Sequence, residues 1–176
     1  MDEVLKRVDA LQATSGMSTV SLTGGEPLAQ VGFVEALLPS LRARGYRIYL
    51  ETNGSLPRAL AKVRSACDWI AMDFKPESAT GRDLWEAQRW FLEMGGDKVF
   101  VKMVLTDSTA ETEFRRGVEW LASASLATPL VLQPATPWGC ARSIPLTRLT
   151  SWWEWATRRL KDVRIIPQIH RLWEIT

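Results

Sequence analysis

Strand-like and helix-like segments alternate along the whole chain, and this order limits the available folds more than any other feature. The strand-like segments are residues 18–22, 46–51, 68–74, 98–104, 129–133 and 163–167. Helical apolar spacing marks residues 2–12, 28–44, 57–66, 82–94, 110–124 and 146–161. Because a strand–helix–strand order favours parallel pairing with right-handed crossovers, the alternation predicts an α/β fold. Six parallel strands fit either an open doubly wound sheet or a partial (β/α) barrel.

The composition predicts one globular domain. A chain of 176 residues suits a single domain spanning 1–176, with 46% hydrophobic and 24% charged residues. The net charge of +2 gives no argument for a nucleic acid or a membrane surface as a partner. No apolar run reaches the roughly 20 residues needed to cross a bilayer. Residues 1–16 are charged and contain no signal-peptide core, so we expect a cytoplasmic protein.

Polar residues and glycines directly follow four of the predicted strands. They are Thr23-Gly24-Gly25-Glu26, Glu51-Thr52-Asn53, Asp73 with Lys75, and Gln133-Pro134. In both candidate folds, ligands bind at the carboxyl ends of the parallel strands. The sequence therefore predicts one ligand site built from these four groups.

The first of these groups is a double-glycine corner. Glycines at a strand exit allow positive φ angles and let a ligand approach the main chain. The amides of Gly24 and Gly25 suit a carboxylate or phosphate, whereas the carboxylate of Glu26 suits an ammonium group. Pro27 fits the first turn of the following helix, where its missing N–H is not needed. A zwitterionic amino acid would satisfy this corner, and a tight turn with a solvated glutamate is the alternative.

Charged residues also fall on the strands themselves. Glu51 points away from the apolar side chains of its strand, and a buried carboxylate there needs a partner. Lys102 lies in the middle of a later strand, and Glu51 or Asp73 is its natural partner. Asp73 and Lys75 are as compatible with a structural ion pair as with a ligand contact.

The sulfur and imidazole groups of the chain are few. Cys67 and Cys140 are far apart in sequence, so they cannot form a Cys-x-x-Cys pair, and we expect two reduced thiols. His170 is the one histidine, and it is followed by Arg171. It is either structural or exposed, or it forms with Arg171 a basic site for a carboxylate.

Three of the nine tryptophans lie on one predicted helix, at Trp152, Trp153 and Trp155. Leucines share this helix with them. The pattern favours packing in the core or at an interface over a stacking platform for a ligand.

Six motifs follow one another in the order of a known family. They are SLTGGEPLAQ from Ser21, ETNG from Glu51, DFKP from Asp73, KVFVKMVLTD from Lys98, VLQPATP from Val131 and RIIPQIHRLWEIT from Arg164. Together they resemble the 7-carboxy-7-deazaguanine synthase family of radical S-adenosylmethionine (SAM) proteins, which acts in queuosine biosynthesis. The resemblance implies a partial (β/α)6-type radical SAM barrel with parallel strands, lacking the first strand of the family.

The same resemblance implies two sets of binding residues. Those for SAM are Gly24, Gly25, Glu26, Asp73, Phe74, Lys75, Gln133, Pro134, Ala135 and Thr136. The methionyl amino group would lie at Gly25 and Glu26, with the ribose and adenine at the other two segments. Those for the pterin carboxylate substrate, 6-carboxy-5,6,7,8-tetrahydropterin, are Thr23, Glu51, His170 and Thr176. No catalytic side chain is assigned.

One requirement of the family is not met by the sequence. Radical SAM chemistry uses a [4Fe–4S] cluster held by three cysteine thiolates, and in the family these lie upstream of the GGEP motif. No cysteine precedes Val20. The Mg²⁺-binding threonine of the family lies in the same upstream region. We therefore expect the carboxyl-side part of such an enzyme, without cluster or Mg²⁺ ligands and inactive alone in forming 7-carboxy-7-deazaguanine.

The sequence leaves more than one possible partner and more than one possible function open. An open edge at the first strand would favour a homodimer or pairing with a complementary cysteine-bearing fragment. A fragment similar to a glycyl-radical activating enzyme shares the GGEP corner, but it has no need of a pterin-facing PQIHR tail. A non-catalytic SAM-binding, pterin-binding or scaffold domain is the third possibility.

Overall fold

The structure is a computed structural model that describes residues 1–75, 84–137 and 142–168. Predictions made for Cys140, His170, Arg171 and Thr176 lie outside the described residues, as does the start of the helix predicted for 82–94. Within the described part of the chain, no helix is both long and apolar enough to cross a membrane.

Strands and helices alternate as predicted. The strands are β1 (Thr19–Leu22), β2 (Arg47–Thr52), β3 (Trp69–Phe74), β4 (Val99–Leu105), β5 (Leu130–Pro134) and β6 (Val163–Ile165). The α-helices are α1 (Asp2–Ser15), α2 (Val31–Ala43), α3 (Pro57–Val63), α4 (Trp85–Gly95), α5 (Glu111–Ala124) and α6 (Leu146–Thr157). Short 3₁₀ helices cover Pro27–Gln30, Arg64–Ala66 and Gly96–Lys98. The six predicted strands are all confirmed.

The order of the strands in the sheet decides between the two candidate folds. In the described residues all six strands are parallel, and their order in space is their order in sequence, from β1 to β6. A doubly wound sheet reverses its strand order part-way, and this sheet does not. Because parallel crossovers are right-handed, consecutive order places the connecting helices on one face. The partial barrel is confirmed, and the doubly wound alternative is wrong.

The burial of alternate residues separates the two faces of the sheet. Odd and even positions of a strand point to opposite faces. The face covered by the helices is apolar, and its fully or almost fully buried residues include Ile48, Leu50, Ile70, Met72, Phe74, Val101, Met103, Leu105, Leu130 and Leu132. The concave face carries half-buried side chains, among them Tyr49, Glu51, Asp73, Phe100, Lys102 and Val104. The predicted orientation of Glu51, away from the apolar side of β2, is therefore confirmed.

Helix α1 is attached to the edge of the sheet through Asp9. Its carboxylate accepts hydrogen bonds from Tyr46 Oη at 3.2 Å and from Arg44 Nε at 3.1 Å. Leu5 is buried on the same helix. Helix α1 therefore packs near the end of α2 and the start of β2, beside the strand that opens the sheet.

The tryptophans of α6 pack as the sequence analysis expects. Trp152 is buried and stacks on Phe114 of α5, with ring centroids 4.5 Å apart. The Arg159 guanidinium lies 3.4 Å from the ring centroid of Trp155, and Trp153 donates a hydrogen bond to the carbonyl of Val163. These contacts join α6 to α5 and to β6, so the tryptophans are part of the packing.

The close approach of α5 to the sheet predicts opposite effects for two glycine substitutions. A Cβ on Gly117 would lie 2.8 Å from Met103 Cε and 2.9 Å from Phe74 Cε1, whereas nothing lies within 4 Å of that position at Gly32 in α2. Both alanines gain up to about 1 kcal/mol of helix propensity, but overpacking at Gly117 costs about 1–3 kcal/mol. Urea unfolding should place Gly117→Ala below the wild type and Gly32→Ala at or above it. A more stable Gly117→Ala would contradict this packing.

Candidate functional site

The double-glycine corner lies in the open at the end of β1. Gly24 has φ 92° and Gly25 has φ 57°, values that L-residues rarely adopt. No atom lies within 4 Å of the position that a Cβ would take at either glycine, and both residues are exposed. The glycines are therefore required by backbone conformation, and a ligand can approach their main chain freely.

Glu26 joins the exits of the first two strands. Its Oε1 accepts hydrogen bonds from Leu28 N at 3.1 Å and from Thr52 Oγ1 at 2.8 Å. Its Oε2 accepts from Asn53 N at 2.8 Å. A carboxylate has about four acceptor positions, so among the described residues one position on Oε2 stays free. The alternative of a merely solvated glutamate is wrong, because the side chain is half-buried and fixed by three donors.

The turn after β2 is held in place from a helix. Gln88 of α4 is buried, and its Nε2 donates to the carbonyl of Asn53 at 3.0 Å. Asn53 Oδ1 in turn accepts from Ser55 N at 2.9 Å. Sequence analysis missed Gln88. The signal was present, because this glutamine occupies a position three and four residues before Phe91 and Leu92 on the buried face of α4.

Glu51 and Lys102 form an ion pair on the concave face. Lys102 Nζ lies 3.1 Å from Glu51 Oε2. The side chains are 16% exposed for Lys102 and 33% exposed for Glu51, so the pair is well shielded from water. The prediction that Lys102 pairs with Glu51 or Asp73 is confirmed for Glu51.

Asp73 pairs with the lysine that follows it two residues later. Asp73 Oδ2 lies 3.4 Å from Lys75 Nζ, which confirms the ion pair. Its Oδ1 is buried and has no hydrogen-bond partner among the described residues. A buried acceptor without a donor is unfavourable, and a ligand hydroxyl or amine would supply the missing hydrogen bond. The role of Asp73 in binding SAM stays a prediction.

Tyr49 lies on the concave face of the sheet, two residues before Glu51 on β2. Burial, with the nearby carboxylates of Glu51 and Asp73, raises the pKa of Tyr49 to about 12. Its ring centroid lies 6.2 Å from that of Phe100. At neutral pH the hydroxyl therefore keeps its proton, and the two rings form an apolar floor beside the charged pair.

The segment after β5 is fixed by β4 and by the chain beyond β6. Ala135 N donates to the carbonyl of Leu105 at 2.9 Å, and Thr136 N donates to Gln168 Oε1 at 2.8 Å. Gln133 stands beside Val104 in register. The predicted segment from Gln133 to Thr136 is thereby placed at the same end of the sheet as the other groups.

The remaining predicted residues differ in how they could meet a ligand. Thr23 is exposed beside the glycine corner. The Phe74 side chain is 2% exposed and packs among the helices, with its ring centroid 5.3 Å from that of Trp120. Phe74 can therefore contact a cofactor only through its main chain. Parity could have shown this, because Phe74 alternates with Asp73 along β3.

A separate cavity of about 500 Å³ lies between α3 and α4. It is lined by Ser55, Leu56, Pro57, Arg58, Ala59, Glu86, Ala87 and Trp90. None of the predicted site residues that the structure describes lines this cavity. The convergent polar groups lie on the concave face, and the site is assigned there.

The residues present fit SAM but not an iron–sulfur cluster. Glu26 has a free acceptor position for an ammonium group, and the glycine corner is open. In contrast, no group of three His, Cys, Asp or Glu side chains within the described ranges could hold a metal ion. Cys67 is buried, its Sγ donates to the carbonyl of Val63, and burial raises its pKa to about 11. Such a thiol does not provide a thiolate ligand.

Comparisons with known proteins agree with this geometry. Residues 1–76 match the Radical SAM superfamily. The 7-carboxy-7-deazaguanine synthase of Geobacter sulfurreducens is 40% identical over 155 residues, which are 87% of this chain and 62% of that protein. The synthase of Thermococcus kodakarensis is 31% identical over 182 residues, covering 97% of this chain and 68% of that protein. The chain belongs to the 7-carboxy-7-deazaguanine synthase family. It spans about two thirds of the length of these relatives.

A solved structure has the same fold as this chain of the synthase family. A domain of the pyruvate-formate lyase-activating enzyme from Bacteroides vulgatus matches with a TM-score of 0.70. The match covers 84% of this chain and 98% of that domain, at 17% sequence identity. At so low an identity the likeness concerns the fold alone. Together with the Radical SAM match of residues 1–76, this likeness confirms the partial radical SAM barrel predicted from the sequence.

The burial of Cys67 predicts slow reaction with Ellman's reagent. In a Cys140→Ser variant, a pKa of about 11 leaves only about one Cys67 thiol in a thousand ionised at pH 8. Labelling of the folded protein should therefore be at least about 100-fold slower than labelling of free cysteine. Labelling in urea should be fast, because unfolding removes the burial. Rapid labelling of the folded variant would show that Cys67 is accessible.

Proposed function

We propose that this chain provides the SAM-binding and pterin-binding surfaces of a 7-carboxy-7-deazaguanine synthase. The relatives with this name support a part in forming 7-carboxy-7-deazaguanine, and the Radical SAM match supports SAM as the cofactor. The pterin substrate is proposed from the family resemblance. The observation that carries the proposal is Glu26, which three internal donors hold at the strand ends with one acceptor position free. A carboxylate fixed in this way is prepared for an ammonium group, because it loses no further conformational freedom when the ligand binds.

In this proposal, SAM lies across the carboxyl ends of the strands. Its methionyl ammonium donates to Glu26 Oε2, and its methionyl chain passes the open main chain of Gly24 and Gly25. The adenosine part extends toward the segments after β3 and β5. There the buried Oδ1 of Asp73, which lacks a donor among the described residues, would accept from a ribose hydroxyl. The main chain from Gln133 to Thr136 would contact the adenine.

The pterin carboxylate would lie deeper on the concave face. The amino-amide edge of a pterin presents two N–H donors side by side, and a carboxylate offers two matching oxygens. Glu51 is the carboxylate available for this edge, with Thr23 nearer the opening. His170 and Thr176 are proposed as further substrate contacts by family resemblance. The rings of Tyr49 and Phe100 supply the apolar floor that a flat bicyclic ligand needs.

The proposed function contains no redox step by this chain alone. A [4Fe–4S] cluster needs three thiolates in this superfamily, and the whole sequence has two cysteines. We propose that the chain binds cofactor and substrate but does not cleave SAM without a source of cluster thiolates. A SAM- or pterin-binding domain without catalysis is the second candidate, and the same lack of thiolates favours it.

Binding of S-adenosylhomocysteine should depend on the charge of Glu26. Glu26→Gln keeps the shape of the side chain and removes the anion, so affinity should fall about tenfold, or about 1.4 kcal/mol. 5′-Methylthioadenosine lacks the amino-acid end and should bind the variant and the wild type equally. Isothermal titration calorimetry measures both ligands.

Glu35→Gln is the matched control, since Glu35 is exposed on α2. Circular dichroism checks that each variant is folded. Equal weakening of both ligands by Glu26→Gln would mean that Glu26 acts only through structure. No heat for S-adenosylhomocysteine with the wild type would refute the proposal itself.

Anaerobic incubation with iron and sulfide should leave the chain without a cluster. Two cysteines cannot supply the three thiolates, and Cys67 is a buried thiol. After desalting, iron analysis and visible absorption should therefore both remain at the level of a Cys67→Ser, Cys140→Ser double variant. Stoichiometric iron with the brown absorption of a [4Fe–4S] cluster in the wild type, but not in the double variant, would contradict the proposed lack of a redox centre.

A further inference from the structure

We propose that Lys102 is a positioning residue, which holds the Glu51 carboxylate in place for the amino-amide edge of a pterin. The inference rests on the proposed function, in which Glu51 contacts the pterin, and it adds a residue that the family resemblance did not assign. Lys102 Nζ lies 3.1 Å from Glu51 Oε2. Both side chains are shielded from most of the solvent. The pair is thus strong enough to orient the carboxylate.

The ion pair joins two strands that are not neighbours. Strand β3 lies between β2 and β4. In register, Glu51 stands beside Ala71, and Lys102 stands beside Asp73. Since neighbouring strands are about 4.8 Å apart, the two backbones are separated by about 10 Å. Lysine has the length to cross this distance, and the single methyl group of Ala71 leaves room for the pair above β3.

Lys102 pairs with Glu51 although another carboxylate, that of Asp73, is closer in the strand register. Asp73 is the direct register neighbour of Lys102, yet Lys102 Nζ pairs with Glu51. Asp73 Oδ2 pairs instead with Lys75. Each carboxylate on this part of the face therefore has its own cation. The lysine of β4 compensates the charge of Glu51 in particular, at the position where the substrate is proposed to bind.

The Glu51–Lys102 pair leaves acceptor positions on both carboxylate oxygens of Glu51 free for a pterin. Lys102 occupies one position on Glu51 Oε2, and no donor in the described part of the chain reaches Glu51 Oε1. A ligand with two adjacent N–H donors can therefore bind both oxygens of Glu51 while Lys102 stays in place. Without the cation, a half-buried carboxylate lacks its partner and turns toward water. The ligand would then lose the two-point contact.

Two probes separate this role from general support of the fold. Pterin-6-carboxylate has the amino-amide edge and is stable in air. Lumazine-6-carboxylate carries a carbonyl oxygen in place of the 2-amino group, so it offers Glu51 one donor fewer. Calorimetry should show that the wild type prefers the pterin by about tenfold. Lys102→Met should weaken the pterin about tenfold and reduce the preference to about twofold or less.

The controls follow from the same geometry. Lys102→Arg keeps a cation and should retain most of the preference for the pterin. Lys6→Met removes an exposed lysine of α1 and should change nothing. In a Glu51→Gln background, Lys102→Met should have little further effect, because its action passes through that carboxylate. Binding of S-adenosylhomocysteine should be the same in all these variants.

Each outcome decides between the two proposals. Loss of the pterin preference in Lys102→Met, with retention in Lys102→Arg, supports the positioning role. An unchanged preference in Lys102→Met overturns it while the proposed function stands. Equal weakening of pterin and S-adenosylhomocysteine also overturns it, since the lysine would then act on the fold. If the wild type binds S-adenosylhomocysteine but not the pterin, the substrate assignment and the role of Lys102 both fall.

Discussion

In the described part of the chain, the helices that connect the strands lie on one face of the sheet, and the candidate site depends on that asymmetry. Consecutive strand order with crossovers of one hand removes the helices from the concave face. The residues at alternate positions on that face are then free to be polar. Glu51, Asp73 and Lys102 occupy it for this reason, whereas the residues between them form the apolar core. The winding of the chain therefore places the apolar core on the helix-covered face of the sheet and the candidate ligand site on the concave face.

Glu26 has a structural task and a proposed binding task at once. Its three hydrogen bonds close the corner after β1 against the turn after β2, which Gln88 supports from α4. Two of these bonds satisfy part-buried main-chain donors, at Leu28 and Asn53, and the third satisfies the Thr52 hydroxyl, so their loss would reduce the stability of the fold. They also fix the direction of the remaining acceptor position. The glycines beside Glu26 mark it in the sequence as a candidate site residue. The sequence does not reveal which residues donate hydrogen bonds to it across the sheet edge.

The fold and part of the candidate site could be predicted from the sequence, because strand parity is a local property and a shielded charge needs a partner. Strand parity placed Glu51 and Lys102 on one face, and their pairing followed because a shielded charge needs a partner. Strand order could not be obtained, since both candidate windings have the same alternation of elements. Two of the three partners of Glu26, Thr52 Oγ1 and Asn53 N, could not be predicted either, because they lie 26 and 27 residues later in the chain. Local patterns do not encode which loops meet across a sheet edge.

The balance of charge at the strand ends favours a cation as the first ligand. Glu51 is paired with Lys102, and Asp73 with Lys75, so each pair is close to neutral. Among the described residues, no basic side chain lies within ion-pair distance of Glu26. One negative charge thus remains at the opening of the concave face. The proposed cofactor has a sulfonium and an ammonium group against one carboxylate, a net charge of about +1 at neutral pH. Binding of the proposed cofactor at Glu26 would therefore balance this charge. The proposed pterin contact at Glu51 needs no charge on the ligand, because Lys102 already balances that carboxylate.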